Sequence, residues 1–219
     1  MKLRVVELLL VTTLPALFLA AKGVPPLGLT IATLIGGTLA AGASNAFNMI
    51  IEVDSDRLME RTAKRPIVSG AVSETQAFIF ASALTIISLL IFSIFTTLWA
   101  TVLTAAAIIF YVFGYTIGLK RRTSQNIVWG GIAGCMPVLI GWAAITNSLS
   151  LTAWLFFLVI FFWTPPHFWA LAIKYKDDYA AAGIPMLPVV ATIKSVEKQM
   201  WFHTIGLVIT SLGVNWSAN

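Results

Sequence analysis

Seven long apolar stretches separated by short polar loops leave this chain one practical way to fold, as a bundle of membrane-spanning helices. They cover residues 5–21, 27–53, 75–95, 98–119, 126–146, 151–173 and 200–214. Backbone amides cannot stay unpaired in hydrocarbon, so an apolar run of about 20 residues crosses a bilayer as a helix. With 58% hydrophobic and 11% charged residues, the chain has more apolar surface than a soluble domain of 219 residues can bury. The second stretch is long enough to continue past the membrane, whereas the first and the last are short for spans. The expected fold class is an all-α polytopic membrane protein, one domain over residues 1–219.

A net charge of +5 suggests nucleic acid in a soluble protein. Here the bases sit between apolar stretches, which gives them a different meaning. Lys2 and Arg4 precede the first stretch, and Arg57, Arg61, Lys64 and Arg65 follow the second. Lys120, Arg121 and Arg122 follow the fourth; Lys174, Lys176, Lys194 and Lys198 follow the sixth. Lys22 alone falls in a loop of opposite parity. Basic loops stay cytoplasmic, so the N-terminus and the loops after the even stretches are expected on the cytoplasmic side of the cell (inner) membrane. Met1-Lys-Leu-Arg4 leads into an apolar run without a cleavage site, so no cleaved signal peptide is expected. Cys135, the single cysteine, excludes an internal disulfide and reads as a small packing residue.

The same parity collects the acids. Asn45, Asn48, Glu52 and Asp56 are spaced 3, 4 and 4 apart at the end of the second stretch, on one helical face, with Asp54 on another. Oxygen ligands one turn apart suit a hard divalent cation, and Mg²⁺ is usually held by one or two carboxylates plus a substrate's phosphates. The bases that follow are placed to take phosphate oxygens. Asp177 and Asp178, after the sixth stretch, lie on the same membrane face, so two acid groups can meet over one substrate. The plainer alternative is a charged loop that marks the membrane edge.

Trp163-Thr-Pro165-Pro166-His167-Phe-Trp169 puts two prolines and an imidazole within a span, where prolines remove backbone donors and are expected to kink the helix. An ionisable residue in a span is a functional candidate by default, and a hydrogen-bonded structural histidine is the other reading. His203 opens the last stretch as an interface residue. Gly36-Gly37, Gly42, Gly130-Gly131 and Gly134 are packing positions before anything else. Among phosphate-binding loops, zinc spacings, Ser-His-Asp orders and dinucleotide fingerprints, none is present. No pair of histidines is placed to ligate a resident haem.

Asn48-x3-Glu52-x3-Asp56 resembles the first metal-diphosphate motif of the UbiA-type intramembrane prenyltransferases, in which the middle residue is usually Asp. Further stretches are similar to the branch of that family that farnesylates protohaem IX (haem O synthases). They are Asp56-Arg-Leu-Met-Glu-Arg61-Thr-Ala-Lys-Arg65-Pro66, then Tyr115 through Lys120-Arg121-Arg122-Thr123 to Gly130-Gly131, and Trp163-Thr-Pro-Pro-His167-Phe-Trp169 leading to Asp177-Asp178-Tyr179 and Pro188. The resemblance covers residues 5 to about 198. It implies a helix bundle around a central cavity. The family bundle has nine helices, so a chain ending near its seventh is expected to be a fragment, the alternative being a shortened member whose cavity lacks part of its wall.

The resemblance also implies a reaction: a farnesyl group passes from farnesyl diphosphate to a vinyl group of haem B, with water adding the hydroxyl of haem O. Asn48, Glu52, Asp56, Asp177 and Asp178 are then the catalytic metal ligands for Mg²⁺, with Glu52 one methylene longer than the usual Asp. Arg61, Arg65, Lys120 and Arg121 would bind the diphosphate, and His167, Trp169 and Tyr115 are acceptor-site candidates. For His167, contact with haem iron, contact with a propionate and action on the added water all stay open. Implied partners are the lipid bilayer, haem B, farnesyl diphosphate, and haem A synthase or terminal-oxidase assembly, without nucleic acid. Two competing readings remain: a prenyltransferase for an aromatic or quinone precursor, and a non-enzymatic haem-binding or ion-carrying membrane protein.

Overall fold

The computed structural model describes residues 3–60 and 62–218, with side chains from residue 9 onward. The described residues form helices and loops without a strand. In chain order these are α1 (Leu3–Ala21), α2 (Leu27–Ile51), α3 (Val53–Leu58), α4 (Glu74–Phe95) and α5 (Leu98–Ile109). A π-helical segment (Phe110–Leu119) continues α5, and α6 (Asn126–Thr146), α7 (Leu151–Lys174), α8 (Lys176–Ala181), α9 (Leu187–Val190) and α10 (Ile193–Ala218) complete the chain. Each of the seven apolar stretches is carried by one long helix. Five are long and apolar enough to cross a membrane, and the apolar part of α1, Leu9–Ala21, is shorter. The protein is a multi-pass membrane protein.

Two clusters fix which helix ends lie together. Met59, Ile127, Ala172 and Val196 pack as one group with Trp169, Ile184, Met186 and Leu187. The ends of α3 and α7 and the starts of α6 and α10 therefore share one end of the bundle. Leu17, Phe92, Ala100, Ile140 and Ala143 form the second group, at the opposite end. The helices thus alternate in direction, and α6 is the hub, packed on α1, α5 and α7. Large apolar side chains such as Ile79, Ile94, Trp201, Phe202 and Leu212 are exposed, as a lipid-facing surface requires.

Polar side chains tie helices where hydrocarbon offers them no water. Ser88 of α4 donates to the Gly36 carbonyl of α2 at 2.7 Å. Thr97, which caps α5, donates to the Ala143 carbonyl of α6 at 2.8 Å. Ser73 and Gln76 form a reciprocal capping box at the start of α4.

Three elements differ from the sequence expectation. Helix α10 begins at Ile193, not near residue 200, because its first turns are amphipathic: Val196 is fully buried while Lys194, Glu197 and Lys198 face out. Helix α7 runs as one helix through Pro165 and Pro166. The second span breaks at Glu52, whose backbone (φ −102°, ψ 12°) separates α2 from α3.

Candidate active site

The break at Glu52 does not interrupt the ligand line. The Glu52 amide donates to the Asn48 carbonyl at 3.0 Å and the Asp56 amide to the Glu52 carbonyl at 2.8 Å, so one-turn spacing persists from Asn48 to Asp56. Thr62 holds the following loop by donating its hydroxyl to the Asp56 carbonyl at 2.9 Å. Asn45, Asn48, Glu52 and Asp56 are all buried, whereas Asp54 is exposed and pairs with Arg57 at 3.5 Å.

Each buried carboxylate has one cation brought by the fold. Lys120 forms an ion pair with Glu52, and Arg65 forms one with Asp56. The acid side chains are 5% exposed and their partners 17% and 13%, so these are buried pairs. Arg121 donates to the Ser55 hydroxyl at 2.5 Å. Two acids and three bases therefore meet at one mouth, an excess of one positive charge among the described residues. Arg61 lies outside the described residues.

The π-helical segment aims two of these groups. In it the Lys120 amide donates to the Tyr115 carbonyl, five residues back, at 2.9 Å. Bonding of this type keeps residues five apart on one face, where an α-helix would rotate Lys120 away from Tyr115. Tyr111, Tyr115 and Lys120 consequently all line the same cavity. Gly130 makes the fit possible: a Cβ there would lie 2.4 Å from the Tyr115 ring, so only glycine lets that ring lie flat on α6.

The cavity has a volume of about 240 Å³. Glu52, Ser55, Asp56, Thr62, Arg65 and Lys120 form its charged mouth, and its inner wall is apolar, with Ile160, Trp163, Phe168 and Leu171 on one face of α7. The other site candidates sit elsewhere. Asn48 is behind the wall, its amide donating to the Thr116 hydroxyl at 3.3 Å. Asp177 is exposed and Asp178 half-buried on α8; neither lines the cavity, although the adjacent Tyr179 does. His167 is exposed and stacks on the cavity residue Trp163, ring centres 4.4 Å apart. Trp169 is fully buried in the core against His203, and its indole N–H has no acceptor among the described residues. His203 accounts for itself locally: Nδ1 bonds to the Gln199 carbonyl at 2.8 Å.

Ser55, Thr62, Tyr111 and Tyr179 line the cavity without having been proposed from sequence as site residues. Tyr111 was within reach, since it lies four residues before Tyr115 among the apolar residues Phe110, Val112 and Phe113. Ser55 and Thr62 carry no signal without the loop that folds them inward.

Two carboxylates one turn apart, both oxygen donors and both buried at a cavity mouth, fit Mg²⁺ delivered with phosphate. Among the described residues no group of three or more His, Cys, Asp or Glu side chains converges.

A model of the UbiA prenyltransferase family matches residues 9–219. The chain belongs to the UbiA prenyltransferase family. Its relatives in that family include "Protoheme IX farnesyltransferase" of Frankia casuarinae, 53% identical over 214 residues, covering 98% of this chain and 74% of the relative. The Streptomyces coelicolor protein of the same name is 53% identical over 212 residues, covering 96% of this chain and 67% of that one. Among solved structures, the UbiA homologue of Archaeoglobus fulgidus bound to DMAPP and Mg²⁺ superposes with a TM-score of 0.81 at 18% identity, over 99% of this chain and 77% of its own. The apo UbiA homologue of Aeropyrum pernix K1 gives 0.79 at 21% identity, covering 100% and 80%. At such identities the two structures establish the UbiA fold and nothing finer.

Proposed function

We propose that this UbiA-family member transfers the farnesyl group of farnesyl diphosphate to a vinyl group of haem B, adding water to give haem O. The observation that carries the reading is the mouth itself. Buried carboxylates and three bases close one end of an apolar cavity, so one site offers a pole for diphosphate and a dry space for a hydrocarbon chain. The haem acceptor is supported by the relatives at 53% identity that are named for it.

The reaction breaks the allylic C–O bond, and the bonding pair leaves with diphosphate. The terminal vinyl carbon forms the new C–C bond. The carbon beside the porphyrin ring then takes water and releases a proton, so haem B, farnesyl diphosphate and water become haem O and diphosphate. Charge builds on the leaving group, so catalysis rests on fixed cations aimed at it. Arg65, Lys120 and Arg121 supply them. Glu52 and Asp56 would hold Mg²⁺ with the diphosphate, and the bound ion supplies Lewis-acid stabilisation of the leaving oxygens. Lys120 and Arg65, which pair with those acids, would also be placed to contact the phosphate oxygens. Tyr111, Trp163 and Phe168 exclude water from the allylic cation until the vinyl group attacks.

Asn48 positions this line from behind through Thr116. Asp177 and Asp178 would help to hold a second Mg²⁺ at the rim, and His167 meets the acceptor at the outer edge of the Trp163 wall. The basic residues around the mouth support a cytoplasmic face for it. Membranes containing the chain, supplied with haem B, farnesyl diphosphate and Mg²⁺, are expected to yield farnesyl-hydroxyethyl haem by mass. Its loss in Asp56→Ala is expected. Haem bound but never farnesylated by the folded chain would overturn the reading and favour a haem carrier.

A further inference from the structure

Below the charged mouth the cavity adjoins a second, apolar chamber of about 130 Å³. Leu9, Asn45, Tyr111 and Gly134 line both spaces. The α2 side of the chamber is built from small residues, Gly37, Ala40, Ala41 and Ser44, which leave a slot between the helices. Its far end is closed by Phe92, with Ile140 and Thr33 beside it. Phe92 is completely buried. Its ring lies so close over Gly36 that a Cβ there would approach to 2.8 Å, so the ring has no room to retreat toward α2. From Asn45 to Thr33 the α2 helix rises about 18 Å at 1.5 Å per residue. A prenyl tail that enters from the mouth runs along this rise and meets the Phe92 ring at its end.

We infer that this slot is a ruler for the donor's hydrocarbon tail. Phe92 is the floor that sets the longest chain accepted, and the bare Cα of Gly37 keeps the lower half of the slot open. A Cβ built on Gly37 meets nothing within 4 Å, although the residue lines the chamber. A side chain grown there therefore enters the slot without striking a neighbouring helix. Leucine at that position stands about two turns below Asn45 and leaves space for a shorter tail only. Removal of the Phe92 ring opens the floor. The inference rests on the prenyltransferase reading, but it concerns the donor alone and is independent of the acceptor.

The test uses the chain in nanodiscs with Mg²⁺ and measures binding of non-hydrolysable geranyl, farnesyl and geranylgeranyl thiolodiphosphates. Turnover with haem B is followed separately by mass. The wild-type chain is expected to prefer the farnesyl analogue. Gly37→Leu is expected to shift preference toward geranyl by tenfold or more. Phe92→Ala is expected to shift it toward geranylgeranyl by a similar factor, with Phe92→Leu as the milder variant if the alanine does not fold. Unchanged preference in folded Gly37→Leu and Phe92→Leu overturns the ruler, whether or not haem is farnesylated. Shifted preference without any haem product keeps the ruler and overturns the haem acceptor. No analogue bound by the wild-type chain overturns both.

Discussion

Replacement of Lys120 by methionine isolates the energy stored in the mouth. Met keeps the apolar stem and volume while deleting the charge that faces Glu52. The Glu52 side chain is only 5% exposed, so solvent cannot take over as partner. Breaking a buried pair by removing one member costs about 3–5 kcal/mol, because the remaining charge is left uncompensated. A loss of about 3 kcal/mol is therefore expected, which for a chain of this size lowers the melting temperature by roughly 6–12 °C. The assay is thermal unfolding in detergent followed by tryptophan fluorescence. Glu52→Gln combined with Lys120→Met removes both charges and is expected to recover most of the loss, since an uncharged pair leaves no buried ion. Millimolar Mg²⁺ is expected to stabilise the single variant more than the wild type, because the divalent ion fills the position the ammonium has left. A single variant as stable as the wild type, or a double variant no better than the single one, would refute the claim that Glu52 is a buried ion held by Lys120.

Three further outcomes can be checked independently. Asp56→Asn, which keeps size but removes the charge paired with Arg65, is expected to lower haem O formation at least a hundredfold while the chain stays folded, read by product mass and by circular dichroism. Chelation of divalent ions is expected to abolish turnover and Mg²⁺ to restore it; turnover that persists in chelator would remove the metal from the mechanism. Gly130→Ala puts a methyl 2.4 Å from the Tyr115 ring and is expected to destabilise the chain by about 1–3 kcal/mol through overpacking. Tyr115→Leu in the same background is expected to relieve that loss, a coupling measurable by a double-mutant cycle.

Much of the architecture could be read from residue order. The seven apolar stretches became seven long helices because hydrocarbon permits no other economical way to pair the backbone. The spacing of Asn48, Glu52 and Asp56 survived a helix break, since the hydrogen bonds that set one-turn spacing pass through Glu52. Helix α10 was under-read because its first turns hide only Val196, and a search for continuous hydrophobicity misses a helix that begins amphipathic. The candidates His167, Asp177, Asp178 and Trp169 were chosen by motif, and the fold puts none of them on the cavity wall. A motif names residue types in order, while the direction a side chain takes depends on the neighbours of its helix.

What residue order settled alone is local: which segments form long apolar helices, which helix ends share a side, and that oxygen donors recur every turn at the end of the second span. These follow from periodicity and from the energy of backbone groups in lipid, both determined within a few residues of each position. The partners were decided only in three dimensions. Lys120 reaches Glu52 from a π-helical segment 68 residues away, and Phe92 closes a slot whose walls come from α1, α2, α5 and α6. Such contacts depend on how whole helices pack and rotate, which is set by the sum of many small fits such as Tyr115 on Gly130 and Phe92 on Gly36. No single stretch of the chain encodes that sum.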